Sequence, residues 1–128
     1  MNVYGIGTDL VETARIARSI QSHGEAFLSR CFTDGEIAYC RTHRASELPF
    51  AARFAAKEAV AKAFGTGIGA AMNWTDIEIC RLESGQPTVR LHGAAEQQAQ
   101  DLGVTEIKLS LTHTASYAAA YALILVRE

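Results

Sequence analysis

The chain has 128 residues, a hydrophobic share of 48% and a formal net charge of −2. That length suits one domain spanning residues 1–128 with a substantial core, and the near-neutral balance offers no global basic field for nucleic acid or an anionic membrane. The longest apolar run, Tyr117 to Val126, is too short to cross a bilayer as a helix, and the N-terminus lacks the basic-then-apolar order of a secretory signal.

The first predicted element is a strand, Val3-Tyr-Gly5-Ile-Gly7-Thr-Asp9-Leu-Val11. The two-residue period puts Gly5, Gly7 and Asp9 on one face. Two positions without side chains leading to one carboxylate imply a close backbone approach there; a strand packed tightly on a helix, with Asp9 starting a turn, accounts for the pattern equally well. Thr13 to about Ser22 reads as a helix with Ile16, Ala17 and Ile20 inward and Gly24 ending it. Arg15 and Arg18 lie three apart on its outer face, followed by Ser19, Ser22, His23 and Glu25 rather than by further arginines.

Thr33-Asp-Gly-Glu36 has capping-box spacing and predicts the start of a second helix. Pro49 suits the first turn of a long third helix. Its C-terminal part, Arg53-Phe-Ala-Ala-Lys57-Glu58-Ala-Val-Ala-Lys62-Ala-Phe-Gly65-Thr-Gly67, carries most of the chemistry. A helical step of about 100° places Glu58 and Lys62 on one face, with Arg53 and Lys57 read as its flank. The small, apolar opposite side lets the helix pack closely. Cations and a carboxylate in so small a space suit phosphate and a metal, whereas an exposed helix decorated by one favourable i,i+4 pair explains Glu58 and Lys62 without any site. Gly65 alone is an ordinary helix terminator.

Trp74 to Leu82 predicts a strand, Ser84-Gly85-Gln86-Pro87 a turn, and Thr88 to Leu91 the returning strand. Ala94 to Leu102 reads as a short polar helix closed by Gly103; Ile107 to Thr112 and Tyr117 to Val126 complete the strands. The class is α+β, with antiparallel hairpins. Cys31, Cys40 and Cys80 lack zinc-type spacing and read as small hydrophobes in a reducing cytoplasm. His113, near a strand end, is either a hydrogen-bonded structural group or a proton acceptor; His23, His43 and His92 read as surface groups.

Four segments, taken in order, resemble the holo-[acyl-carrier-protein] synthase family of small phosphopantetheinyl transferases. They are Gly5-Ile-Gly-Thr-Asp-Leu-Val-Glu12, Arg53 to Gly67, Ser84-Gly-Gln-Pro87, and Ser110-Leu-Thr-His-Thr114 with Tyr117-Ala118. The resemblance implies the 4′-phosphopantetheinyl transferase-like fold, an antiparallel sheet packed with a long central helix. It implies transfer of 4′-phosphopantetheine from coenzyme A to a serine of an acidic apo acyl carrier protein, a step that feeds fatty acid biosynthesis.

By position, Asp9 and Glu58 match the family's Mg²⁺ ligands and Lys62 its pyrophosphate lysine, so these three are the expected catalytic residues. Coenzyme A is expected at Arg53, Lys62, Gly65, Gly67, Gly85, Pro87, Thr112 and His113, and the carrier at Arg15 and Arg18. The family implies a homotrimer with active sites between subunits. Two other classes stand beside it: a carrier-independent, Mg²⁺-dependent coenzyme A hydrolase, which needs the same metal and lysine residues but not Arg15 and Arg18, and a non-catalytic carrier-binding module, against which the presence of Asp9, Glu58 and Lys62 together argues.

Overall fold

The computed structural model describes residues 1–128. Strand β1 (Asn2–Glu12) leads directly into helix α1 (Thr13–His23). Gly24, at φ 53°, turns the chain into a short helix α2 (Glu25–Cys31), which no local pattern in the sequence predicts. The predicted second helix is therefore the third, α3 (Asp34–Cys40), and the long one is the fourth, α4 (Glu47–Phe64). A 3₁₀ turn (Trp74–Asp76) precedes the hairpin β2 (Ile77–Arg81) and β3 (Pro87–Leu91); α5 (Gly93–Leu102), β4 (Val104–His113) and β5 (Tyr117–Val126) follow. The predicted strand from Trp74 thus begins three residues later.

The architecture is α+β. One antiparallel sheet has the order β1-β5-β4, and β2-β3 forms a separate two-stranded sheet. α4 lies between them, and its residues from Phe50 to Phe64 are buried except Glu58 and Lys62. A helix apolar nearly all round belongs in an interior, so the two residues that escape burial stand out.

Two contacts place this helix. The first is β1 against α4. An ideal Cβ on Gly5 would sit 2.1 Å from the Ala63 carbonyl oxygen, and one on Gly7 would sit 1.9 Å from that of Ala59. No side chain fits there, which confirms that Gly5, Gly7 and Asp9 share the face turned to the helix. The second is aromatic. Phe54 stacks on Trp74 with centroids 4.5 Å apart, Phe27 of α2 packs on Phe54 at 6.4 Å, and Phe32 packs on Phe50 at 5.0 Å. These rings hold α2, whose seven residues are too few to fold without packing partners.

The predicted capping box at Thr33 is present: the Glu36 amide donates to Thr33 Oγ1 at 3.2 Å, and the Thr33 amide donates to Glu36 Oε1 at 2.8 Å. The cysteines are free; Cys31 and Cys40 are buried and Cys80 half-buried. Burial pushes the Cys40 thiol up to about 12, the state of an inert packing group rather than a nucleophile.

The outer face of the β1-β5-β4 sheet carries no helix. Val3, Ile6 and Leu10 of β1 are 58%, 56% and 65% exposed, and Tyr117 and Tyr121 of β5 stand beside them.

Candidate active site

Asp9 and Glu58 come together because β1 and α4 touch through backbone. Asp9 is the next residue after Gly7 on the helix-facing side, and Glu58 precedes Ala59, which Gly7 contacts. Lys62, one turn beyond Glu58, is half exposed; its Nζ lies 3.2 Å from Asp9 Oδ1 and donates to the Thr8 carbonyl at 3.1 Å. Partial burial and then the charge of Asp9 push the Glu58 carboxyl above its ordinary value, while Lys62 and Arg15 pull the other way. Two half-buried carboxylates that repel one another, with no His or Cys beside them, suit a hard divalent cation that keeps most of its own waters. The donor set therefore fits Mg²⁺.

Lys57 corrects the sequence reading. It is not on the flank of a charged face but fully buried, paired with Glu36 at 2.7 Å and donating to the carbonyls of Trp74 at 2.9 Å and Ile77 at 2.5 Å. Burial lowers its pKa, with Glu36 opposing. Arg53 also lies elsewhere. It is nine residues before Lys62, half a rotation away around α4 at about 100° per residue.

Arg53 instead faces a cavity of about 450 Å³, shared with Gly85, Pro87 and His113. Four residues singled out from three sequence segments thus meet at one place. Arg53 is 4% exposed, its guanidinium carbon lies 4.3 Å from the Tyr39 ring centroid, and no carboxylate pairs with it. Its Nε has no hydrogen-bond partner. A buried guanidinium with an idle donor and no carboxylate partner, lining a cavity, argues against a structural ion pair and for an anionic ligand. Arg44 and Arg81 add positive charge, His43 adds an imidazole, and no Asp or Glu lines the cavity.

Sequence patterning does not reveal that contribution. His43 reads there as a surface group, and Tyr39, Arg44 and Arg81 belong to no motif that would mark them. Arg81 donates to the Tyr39 hydroxyl at 2.8 Å and the Gly85 carbonyl at 2.9 Å, which fixes the turn at the cavity rim.

Other expected residues behave differently. Thr112 does not line the cavity; alternation along β4 puts it on the outer sheet face, opposite Ala119, while His113 turns inward. Gly65, at φ 86°, caps α4, and the amides of Gly65, Thr66 and Gly67 all donate back to Lys62 or Ala61 carbonyls. They are not idle donors waiting for phosphate; what the two glycines offer is open space, with no atom within 4 Å of an added Cβ. Arg15 and Arg18 are both exposed on α1, and Arg15 lies 5.7 Å from the Phe54 ring centroid, near enough to Glu58 to affect its charge.

Comparison with known proteins points one way. Residues 5–122 match the 4′-phosphopantetheinyl transferase superfamily. The holo-[acyl-carrier-protein] synthase of Solibacter usitatus is 46% identical over 122 residues, covering 95% of this chain and 98% of the relative. The crystal structure of the same enzyme from Neisseria meningitidis superposes with a TM-score of 0.90 at 33% identity, covering 97% of this chain and 99% of that one. That of Helicobacter pylori, in complex with coenzyme A, superposes at 0.84 with 28% identity over 94% of this chain and 99% of that one.

Proposed function

The chain belongs to the holo-[acyl-carrier-protein] synthase family of phosphopantetheinyl transferases, and from that premise we propose which of its residues perform the transfer. The reaction moves 4′-phosphopantetheine from coenzyme A to a serine of apo acyl carrier protein. The serine oxygen forms a bond to the pantetheine phosphorus, the bond to the second phosphate breaks, adenosine 3′,5′-bisphosphate leaves, and the serine proton must be accepted.

The observation that carries the assignment is the meeting of Asp9, Glu58 and Lys62. Asp9 and Glu58 would hold Mg²⁺, which supplies neutralisation of the pyrophosphate charge. Lys62, half exposed on a flexible stem, releases Asp9 and turns its ammonium to the leaving phosphate. Glu58 takes the serine proton directly or through water. Arg53 receives the 3′-phosphate, His113 assists in the same cavity, and Gly85 and Pro87 form the rim beside the adenine.

Arg53 and Lys62 leave α4 on opposite sides. To touch both within one subunit, coenzyme A would have to pass around a buried helix. This supports a site completed by a second subunit, whose cavity residues face the first subunit's metal residues. The uncovered apolar sheet face supports association too, because so much exposed Val, Ile, Leu and Tyr is unusual on a monomer. We therefore read the protein as a cyclic homotrimer. We also read residues 1–128 as one folding unit, supported by a core cluster of 28 buried residues, and as a protein of the cytoplasm, supported by its free thiols.

The test is mass spectrometry of apo carrier incubated with coenzyme A, Mg²⁺ and the protein. The carrier should gain one phosphopantetheine. Asp9→Ala and Glu58→Ala should nearly abolish the gain and weaken Mn²⁺ binding while leaving the unfolding midpoint close to wild type; activity within a few-fold of wild type would refute the ligand assignment.

A further inference from the structure

Lys57 and Glu36 are the two charged side chains of the interior that the reaction does not use. Their hydrogen bonding is complete. The three protons of Lys57 Nζ meet Glu36 Oε1, the Trp74 carbonyl and the Ile77 carbonyl. Glu36 Oε1 also accepts the Thr33 amide, and Oε2 accepts the Ile79 amide at 2.8 Å. One ion pair therefore joins α3, α4, the 3₁₀ turn and the free edge of β2.

Three of those elements, α3, α4 and β2, also wall the cavity at neighbouring positions. Arg53 precedes Lys57 by four residues on α4, Tyr39 follows Glu36 by three on α3, and Ile79, held through its amide, lines the cavity with its side chain. Arg81, Gly85 and Pro87 lie further along the same hairpin. Because β2-β3 is a separate sheet, no ladder ties it to β1-β5-β4.

We propose that the Lys57–Glu36 pair is a positioning device for the coenzyme A cavity: it locks the β2-β3 hairpin in register against α4, so that Gly85 and Pro87 stand at a set distance from Arg53. A buried ion pair is often no better for stability than apolar residues of equal volume, whereas it specifies one alignment of the segments it joins. Lys57 thus acts on the ligand through Arg53 and the hairpin and does not touch phosphate. The inference rests on the cavity being the nucleotide site.

The test is the paired variant Lys57→Met/Glu36→Gln, since Lys57→Met alone strands a buried carboxylate and is strongly destabilising. The Glu36→Gln change keeps an amide oxygen as acceptor for the Ile79 amide. Affinity for adenosine 3′,5′-bisphosphate is measured by calorimetry at a temperature where circular dichroism shows the variant folded. The expected result is about tenfold weaker nucleotide binding and a matching rise in KM for coenzyme A, with kcat at saturating coenzyme A and Mn²⁺ affinity retained. If the paired variant does not fold, Glu36→Asp, which keeps both charges and shortens the reach, is used and should show the same split. Arg53→Met is the reference. If Arg53→Met weakens nucleotide binding and the folded positioning variant stays within about twofold of wild type, the positioning role is refuted and the cavity assignment stands. If neither variant changes nucleotide affinity, the cavity assignment falls and the inference with it.

Discussion

At Gly7 a single methyl group is decisive. Its Cβ would overlap the Ala59 carbonyl oxygen at 1.9 Å and approach the Ala63 amide nitrogen at 2.7 Å, and both obstacles are backbone. Gly7→Ala must push β1 away from α4, a form of overpacking that costs about 3 kcal/mol. Thermal denaturation should show a drop of several degrees, and transfer should fall further than stability because Asp9 moves with the strand. A variant as stable as wild type would mean that the strand has room to yield. A second residue-scale expectation concerns Lys62. If it stabilises charge on the leaving phosphate, Lys62→Ala lowers the rate constant of transfer more than it weakens coenzyme A binding. Transient kinetics with a coenzyme A titration separates the two effects, and a pure loss of affinity would reduce Lys62 to an anchor.

Among the elements, the base of the hairpin offers a pH test. Glu78 on β2 accepts from Thr33 Oγ1 at 2.9 Å and meets His92 Nε2 at 2.9 Å. Burial alone would raise its pKa, but the hydrogen bonds from His92 and Thr33 and the charges of His92 and Arg90 together hold it below the ordinary 4.5. A depressed carboxylate adds stability that is complete above its unfolded value and lost as pH falls through the folded one. Wild type should therefore exceed Glu78→Gln in unfolding midpoint above pH 4.5, with the advantage shrinking in more acid solution. An advantage undiminished at low pH would assign it to packing. Helix α1 carries the other element-scale expectation. Arg15 is partly engaged by Phe54, whereas Arg18 has no carboxylate or ring partner. Arg18→Glu should slow capture of an acidic carrier and flatten the salt dependence of its association rate, measured by stopped flow, with coenzyme A affinity untouched.

Elements that announce themselves locally were legible. The Thr33–Glu36 box, the Gly65 and Gly103 caps and the Gly85 turn all carry their reason within a few residues. α2 was not legible, because Phe27, Leu28 and Cys31 are held by rings distant in sequence rather than by any local signal. The site divides the same way. Glu58 and Lys62 could be grouped from helical spacing and Asp9 joined to them only through the family resemblance, but the direction of Lys57 could not be read: its side chain is drawn inward by Glu36, twenty-one residues earlier, and by carbonyls that only the folded chain brings near.

For the molecule as a whole, the uncovered sheet face and the separation of Asp9, Glu58 and Lys62 from the Arg53 cavity are the grounds for expecting association. Light scattering should show a trimer. Refolding Glu58→Ala together with His113→Ala should recover more activity than the two parents summed, because some mixed sites are intact. No recovery despite demonstrated subunit exchange would place each site within one chain.

The bare contact between β1 and α4 has one more consequence. Where strand and helix touch through glycine and alanine, no side chain lies between them to change rotamer or compress. The backbone positions from which Asp9 and Glu58 project are then fixed by direct contact, which stiffens the pair. A stiff pair discriminates by ionic radius: it suits Mg²⁺, which demands near-octahedral oxygens at about 2.0–2.1 Å, over Ca²⁺, which takes more ligands at about 2.3–2.6 Å. Calcium should therefore be a poor substitute in this enzyme, and enlarging Gly7 should blur the preference before it destroys binding.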